Sequence, residues 1–340
     1  MAAPHAIILG LDGLRLTEAE RAFFAEADPW GFILFARNIA DPAQVSALTA
    51  DLRAAVGREA PIFIDQEGGR VARMRAPHWR EWPWPPRMEA ALSPEAMDEA
   101  LALRFRLIAH ELRAVGVDGN CMPIADVAFA QTDAIIADRA LGHDAATVAR
   151  RAGLIADALL AGGVLPVIKH LPGHGRADMD SHLALPVVEA SLDDLRATDF
   201  AAFRPLAGQA LGMTAHVVYT ALDAEAPATL SPAGIAAIRE DIGFDGCLMT
   251  DDLSMGALSG TMRGRAEAAI AAGCDLILHC NGDRAEMEGA LEGTPRLAGA
   301  AEARAAAALA ARRAPAPFDV IAADARHAAL IAPLGQAADG

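Results

Sequence analysis

Two short segments of the sequence concentrate the residue types that perform nucleophilic and acid–base chemistry. The first, residues 169–182, reads KHLPGHGRADMDSH and holds three of the ten histidines of the chain. Its glycines at positions 173 and 175 predict a loop rather than a helix. The second, residues 250–255, reads TDDLSM. Its adjacent carboxylates, Asp251 and Asp252, can supply a nucleophile and a neighbour that positions it, although one of them could instead cap the following helix.

The histidine-rich segment is open to other interpretations. Histidine and aspartate are good metal ligands, so a metal-dependent hydrolase that uses His170, His174, His182 and Asp251 is a second hypothesis. The spacing does not match H-E-x-x-H or a zinc knuckle, however, so we expect no metal. A polar surface loop without chemistry is the third interpretation.

The elements that must position these residues alternate along the chain. Short apolar runs are separated by segments rich in Ala, Leu, Arg and Glu, which favour helices (residues 42–56, 94–115, 145–161 and 192–207). Eight such runs predict an α/β fold, a single (β/α)8 TIM-type barrel, rather than a doubly wound sheet, because no G-x-G-x-x-G turn follows the first run. The runs are residues 6–11, 31–35, 61–64, 117–124, 164–168, 211–214, 247–250 and 275–278.

Polar side chains follow most of these runs. In a parallel barrel the carboxyl ends of the strands meet at one mouth, where active sites of this fold lie. The sequence therefore predicts an active-site ring at that mouth. Its expected members are Asp65, Asp126, Lys169, His170, His216 and Asp251.

Composition excludes several functional classes. The net charge is 29 − 45 = −16, which argues against nucleic-acid or anionic-membrane surfaces. No apolar run reaches the ~18 residues of a membrane span, and no basic residue precedes the short apolar stretch at the amino terminus, so we expect neither membrane span nor signal peptide. The four cysteines form no C-x-x-C pair. They are predicted to be buried thiols in a reducing cytoplasm.

No change of composition marks a linker. We therefore expect residues 1–340 to form a single catalytic barrel domain, with the last ~25 residues as an Ala-rich closing segment on its outside.

Several motifs together resemble a known family. They are GFILFARN at residues 31–38, DQEGGRV at 65–71, KHLPGHG at 169–175 with DSH at 180–182, MTAH at 213–216 and TDDLSM at 250–255. This combination is similar to the bacterial NagZ-type β-N-acetylhexosaminidases of glycoside hydrolase family 3. The motifs span most of the chain, and the K-H-x-P-G-H-G…D-S-H pattern distinguishes this branch from the family's β-glucosidases and xylosidases.

The resemblance implies a function and a site. It implies a retaining exo-β-N-acetylglucosaminidase that removes GlcNAc from GlcNAc-1,6-anhydro-MurNAc, with or without peptide, in peptidoglycan recycling. Asp251 would be the nucleophile, His182 the acid/base and Asp180 its orienting partner. The enzyme would be a cytoplasmic monomer that acts on this small muropeptide without cofactor or metal. The residues implied to bind the sugar are Asp65, Arg73, Arg139, Lys169 and His170.

Some of these assignments have alternatives. Arg73 and Arg139 could be surface ion pairs, and Ala140-Leu141 replaces the Ser-Phe that usually follows Arg139 in the family. Glu67 and Arg70 are expected to brace the loop rather than contact substrate.

Acid–base chemistry supports the histidine role independently of the resemblance. Glycoside cleavage usually employs two carboxylates, one acting as acid. A histidine can replace that acid because its unperturbed pKa of about 6.5 lies near the working pH, and a carboxylate bonded to its far nitrogen fixes its tautomer. A neutral histidine would not repel an anion, so phosphate could replace water in the second step, and a phosphorylase of the same family remains an alternative.

A glycan-binding barrel without catalytic activity is a further hypothesis. The presence of a nucleophile together with a proton shuttle argues against it, because binding alone needs neither.

Overall fold

A closed barrel of parallel strands forms the centre of the molecule. The computed structural model describes residues 3–179, 181 and 184–336. Within them, the parallel sheet runs through His5–Leu9, Pro29–Leu34, Ile62–Ile64, Gly119–Asn120, Leu165–Pro166, Ile168–Leu171, Leu211–Thr214, Cys247–Asp252 and Leu276–His279.

The sheet closes because its two end segments are consecutive in the chain. Leu165–Pro166 pairs with Gly119–Asn120, and Ile168–Leu171 pairs with Leu211–Thr214. Only Val167 separates the two segments, so together they make one strand. The described residues thus form eight parallel barrel strands, and each contains or overlaps one of the predicted apolar runs. The predicted (β/α)8 architecture is confirmed.

Successive residues of each strand pack into different cores, as the two-residue period of a strand requires. Ile8, Ile33 and Phe63 fill the barrel interior. Their neighbours Ile7 and Phe32 face the surrounding helices. All four cysteines are buried free thiols, as expected.

Helices follow most strands, and their ends have local causes. Pro42–Val56 begins after Asp41, whose carboxylate accepts the Gln44 N–H, and ends at Gly57 with a φ of 64°. The remaining α-helices are Glu18–Ala27, Pro85–Glu89, Pro94–Ala114, Ala134–Ala137, Ala145–Ala161, Leu192–Ala197, Asp199–Phe203, Pro232–Ala236, Met262–Ala272, Arg284–Glu292, Gly299–Ala310, Val320–Ile331 and Pro333–Gln336.

One predicted helix is broken. Residues 192–207 were expected to be continuous, but Thr198 has φ −121° and ψ −73°, which is not helical. The Asp194 carbonyl accepts both the N–H of Thr198, at 3.1 Å, and its hydroxyl, at 2.7 Å. The segment ends in a 3₁₀ turn, Arg204–Leu206, because Pro205 lacks the N–H that an α-helix would need.

Small elements complete the fold. Gln66–Gly68 and Val71–Ala72 form an antiparallel pair at the mouth of the barrel, and Val187–Val188 pairs with Val218–Tyr219. The 3₁₀ turns Ala36–Asn38 and Ala228–Leu230 and the π-helical turn Ala237–Asp241 lie in connections.

Two late helices pack on the barrel. Gly299–Ala310 contributes Ala305 and Ala308 to the interior core. Val320–Ile331 packs against Pro94–Ala114, where Arg326 and Glu99 form an ion pair at 2.6 Å. In the described part of the chain, no helix combines the length and the hydropathy that crossing a membrane requires.

Candidate active site

One pocket at the carboxyl ends of the strands collects most of the predicted ring. Its volume is about 290 Å³. Asp126 and His216, the other two expected members, do not line the pocket but bond to groups that do. The predicted residues that line it are Asp65, Arg73, Arg139, Lys169, His170 and Asp251.

Five charged side chains form a continuous network on one wall of the pocket. Asp65 pairs with Arg73 at 3.1 Å and with Lys169 at 2.8 Å. The Lys169 ammonium also lies 2.8 Å from Glu67. Arg139 donates to both oxygens of Glu67 at 2.8 Å. Arg73 and Arg139 are therefore ion-paired within the pocket wall rather than on the outer surface.

The network holds Asp65, Glu67 and Lys169 in their charged forms. Burial alone would raise the pKa of Glu67, but Arg139 and Lys169 outweigh it and lower that pKa to about 2. Burial likewise opposes ionisation of Asp65, whose pKa is nevertheless held well below its usual value by Lys169 and Arg73. Against the same cost of burial, Asp65 and Glu67 raise the pKa of Lys169.

Arg104 supports this wall from behind, a role that the sequence analysis did not assign. Its guanidinium is fully buried and donates to the Glu67 carbonyl and, at 2.7 Å, to the Pro83 carbonyl. It occupies the space beside Gly68, where a Cβ would overlap it, so a side chain at Gly68 would displace the guanidinium. A lone arginine inside a helical pattern gives no sequence signal for such a contact.

A buried carboxylate orients His170. Asp126 is fully buried and lies 2.7 Å from His170 Nδ1. The backbone N–H groups of His170 and His174 donate to its other oxygen at 3.2 and 2.6 Å. Burial opposes the charge on Asp126, but His170 and His174 hold its pKa below the usual value. Because Nδ1 is engaged with Asp126, the Nε2 atom of His170 is the nitrogen available to a ligand.

The two adjacent aspartates have different surroundings. Asp251 is partly exposed and accepts the backbone N–H of Asp252 at 2.8 Å. Asp252 accepts from the N–H and hydroxyl of Ser254, at 3.0 and 2.6 Å, and from the N–H of Cys280 at 3.1 Å. The expectation that one of them caps the next helix is wrong. That helix begins at Met262 and is capped by Thr261, so Asp252 stabilises a turn instead.

Neighbouring groups keep Asp251 ionised. Burial would raise its pKa, but His170, His216 and the N–H of Asp252 outweigh this and hold the pKa below the usual value. His216 packs beneath the site, with Nε2 3.0 Å from the Asp252 carbonyl. Because a carbonyl only accepts, that nitrogen carries the proton.

The expected acid/base pair falls outside the described residues. Asp180 and His182 both lie there, whereas Ser181 between them is described and lines the pocket. The Ser181 hydroxyl is 3.1 Å from His174 Nε2. Burial and the neighbouring His170 lower the pKa of His174 to about 4, so His174 is neutral at pH 7.

Metal-ligating side chains do not cluster in the described part of the chain. Across residues 3–179, 181 and 184–336, no group of three or more His, Cys, Asp or Glu side chains is arranged to hold a metal ion. The alternative ligand set of His170, His174, His182 and Asp251 includes one residue outside these ranges.

Comparison with known proteins places the pocket in a family context. The model of the glycosyl hydrolase family 3 N-terminal domain matches residues 8–309. A β-hexosaminidase of Pseudomonas aeruginosa strain LESB58 is 39% identical over 297 residues, which cover 86% of this chain and 87% of that protein. A β-hexosaminidase of Methylococcus capsulatus is 40% identical over 276 residues, covering 80% of this chain and 81% of that one.

Solved structures agree with the sequence comparison. NagZ from Neisseria gonorrhoeae in complex with a zinc ion has a TM-score of 0.85 and 30% identity, covering 98% of each chain. The same protein in complex with N-trifluoroacetyl-D-glucosamine has a TM-score of 0.83, again at 30% identity and 98% coverage of both chains. The chain therefore belongs to glycosyl hydrolase family 3, and it is a glycoside hydrolase that acts on β-N-acetylhexosaminides.

Proposed function

We propose that the chain is a retaining exo-β-N-acetylglucosaminidase that removes GlcNAc from GlcNAc-1,6-anhydro-MurNAc, with or without peptide, in cytoplasmic peptidoglycan recycling. Asp251 attacks the anomeric carbon and forms a glycosyl-enzyme. His182 protonates the departing oxygen and then takes a proton from the attacking water, while Asp180 orients the imidazole. The enzyme acts as a monomer without metal or cofactor.

The freedom of Asp251 carries this proposal. Among the described carboxylates that line the pocket, Asp65 is held in two ion pairs and Asp252 by three hydrogen-bond donors. Asp251 accepts one backbone N–H and has no ion pair within the described residues. An ionised carboxylate with an unengaged oxygen facing a pocket is suited to nucleophilic attack.

The same carboxylates are poor proton donors, which supports a histidine as acid. The pKa values of Asp65 and Asp251 are lowered, so both are ionised at neutral pH. Asp252 uses its oxygens to accept hydrogen bonds. Glycoside cleavage still needs a proton at the leaving oxygen, and histidine supplies one near neutral pH.

Two described histidines line the pocket. His170 is bonded to Asp126 through Nδ1 and is assigned to sugar binding through Nε2, whereas the pKa of His174 is lowered to about 4, so His174 is neutral at pH 7. The family motif suggests His182 as the acid, and its sequence neighbour Ser181 lines the pocket.

The pocket suits one amino sugar. Its volume of about 290 Å³ is at the lower limit of the ~300–1,000 Å³ common for ligand sites, which favours a single sugar unit at the end of a chain. Asp65, Arg73, Arg139, Lys169 and His170 offer hydrogen-bonding groups for the hydroxyls and the N-acetyl group. The gonococcal NagZ that binds N-trifluoroacetyl-D-glucosamine supports the same sugar here.

A substrate panel tests the proposal. The purified protein should hydrolyse 4-nitrophenyl β-GlcNAc far faster than the corresponding β-glucoside and β-xyloside, and NMR of the first-formed product should show the β-anomer. Comparable rates on the three glycosides, or a first-formed α-anomer, would contradict it. Formation of GlcNAc 1-phosphate in phosphate buffer would identify a phosphorylase. Loss of activity with a chelator, restored by metal, would identify a metal-dependent hydrolase.

A further inference from the structure

An aromatic side chain is exposed in a cavity next to the catalytic pocket. The segment 76–87 contains three tryptophans, of which Trp79 and Trp82 are buried. Trp84 is 39% exposed, although it belongs to the same ordered segment. It borders a second cavity of about 360 Å³ together with Arg70, Arg87 and Glu81.

The second cavity adjoins the catalytic pocket. Arg70 lines both, so the two cavities lie against the same residue. A different surface groove around Arg176 shares no lining residue with the catalytic pocket. Adjacency at Arg70 therefore favours the Trp84 cavity as the place for the second unit of a longer substrate.

The position of Trp84 is fixed by the backbone. Gly69 has a φ of 58°, and a Cβ there would lie 2.8 Å from Trp84 Cβ, so the indole side chain packs directly on this glycine. The Gly69 N–H donates to the Trp82 carbonyl at 2.8 Å. The segment that carries Trp84 is thus tied to the loop that carries Arg70. A rigid aromatic face loses little entropy when a sugar ring stacks on it.

The side chains that line the cavity carry a net positive charge, although the chain as a whole is acidic. Arg70 and Arg87 face it with a single carboxylate, Glu81. Arg87 donates to the Leu334 carbonyl at 3.0 Å and, within the described residues, has no carboxylate within 4 Å. Arg70 makes one long contact of 3.5 Å with Asp138. The Arg176 groove instead has Asp178 and Glu189 around an arginine that Asp199 already engages.

We propose that the Trp84 cavity binds the leaving part of the substrate, a sugar ring that stacks on the indole and carries a carboxylate that pairs with Arg70 and Arg87. This inference rests on the proposed function, because it requires a substrate in which the cleaved β-N-acetylglucosaminyl unit is linked to a second sugar. It adds a specificity site for an acidic aglycone outside the catalytic pocket.

Three substrates separate this site from the catalytic pocket. They are methyl β-N-acetylglucosaminide, which has no ring to stack, N,N′-diacetylchitobiose, whose aglycone is a neutral sugar, and β-GlcNAc-(1→4)-MurNAc, whose aglycone carries a lactyl carboxylate. The parent protein should prefer the acidic disaccharide, and this preference should fall as NaCl concentration rises. Equal kcat/KM for the two disaccharides would overturn the carboxylate pairing.

Variants locate the site. Trp84→Ala should lower kcat/KM about tenfold on both disaccharides while changing the methyl glycoside less than twofold, and Trp84→Phe should retain most of the activity. Arg87→Gln should remove much of the preference for the acidic disaccharide. Val187→Ala, an exposed apolar side chain on the Arg176 groove, is the matched control and should change none of these ratios. Thermal unfolding checks that each variant is folded.

The outcomes distinguish this proposal from the function on which it rests. If the parent protein does not hydrolyse any of the three β-N-acetylglucosaminides, the proposed function fails. If it hydrolyses them but Trp84→Ala and Trp84→Phe affect the methyl glycoside and the disaccharides equally, or if Val187→Ala causes the selective loss, the Trp84 site is wrong.

Discussion

Replacing Glu67 by glutamine tests the ion-pair wall of the pocket. Glu67 is buried and bonds to both Arg139 and Lys169. Its pKa falls from an ordinary value of 4.5 to about 2 in the folded protein. At ~1.4 kcal/mol per pKa unit, the charged form contributes about 3 kcal/mol to the free energy of unfolding at pH 7. Removing one partner of a buried ion pair typically costs about 3–5 kcal/mol, which agrees.

The pH dependence of this effect has a definite sign. A carboxylate whose folded pKa is lowered stabilises the protein above pH 4.5, and this contribution is lost as the pH falls toward 2. Linkage gives a remaining contribution of about 2 kcal/mol at pH 3.5. The difference in unfolding free energy between the parent and Glu67→Gln should therefore shrink between pH 7 and pH 3.5.

Urea denaturation at the two pH values measures this difference. The matched control is Glu99→Gln, since Glu99 also accepts two hydrogen bonds from one arginine, Arg326, but on the exposed surface. Water screens that pair, so Glu99→Gln should lower the free energy of unfolding much less than Glu67→Gln does. Glu67→Gln should also lower kcat/KM at least tenfold, because Arg139 and Lys169 lose their shared partner. A variant as stable as the parent at pH 7, or a loss that is the same at both pH values, would refute the reasoning.

Four further variants test the catalytic assignments. Asp251→Ala should abolish turnover, because the nucleophile is lost, and should leave the thermal unfolding transition unchanged. Turnover by this variant at the parent rate would exclude Asp251 as the nucleophile. His182→Ala should slow a natural disaccharide about 10²–10⁴-fold more than an activated aryl glycoside, since only a basic leaving group needs the proton, and Asp180→Ala should show the same pattern less severely. Equal slowing of both substrates would make His182 a binding residue. Asp126→Asn should lower kcat/KM at least tenfold without unfolding the protein, because His170 loses the carboxylate that orients its ring; unchanged kinetics would contradict that role.

The sequence was sufficient to predict the barrel and the mouth where the site lies. Apolar runs have the length and spacing of strands, and parallel strands bring their carboxyl ends to one edge. The residues that follow the runs, such as Asp65 and Asp251, could therefore be placed together without any contact information. Asp126 and His216 were correctly placed at this mouth, but the sequence did not separate pocket-lining residues from those that support them.

Contacts between distant segments could not be predicted in the same way. Glu67 and Arg139 are separated by 72 positions, and nothing in either local pattern indicates a bidentate pair between them. The contact between the Ser181 hydroxyl and His174 Nε2 likewise has no signal in the local sequence. The break at Thr198 is a change of backbone dihedral angles at one residue, which composition alone does not reveal.

The central claim is that Asp251 forms the covalent glycosyl-enzyme. A 5-fluoro β-N-acetylglucosaminyl fluoride should accumulate this intermediate, and mass spectrometry of the digested protein should find the added sugar on the peptide that contains residues 250–255, with fragmentation assigning it to Asp251. Asp251→Ala should remain unlabelled under the same conditions. Label on Asp252, or turnover of the parent protein without any covalent adduct, would contradict the account.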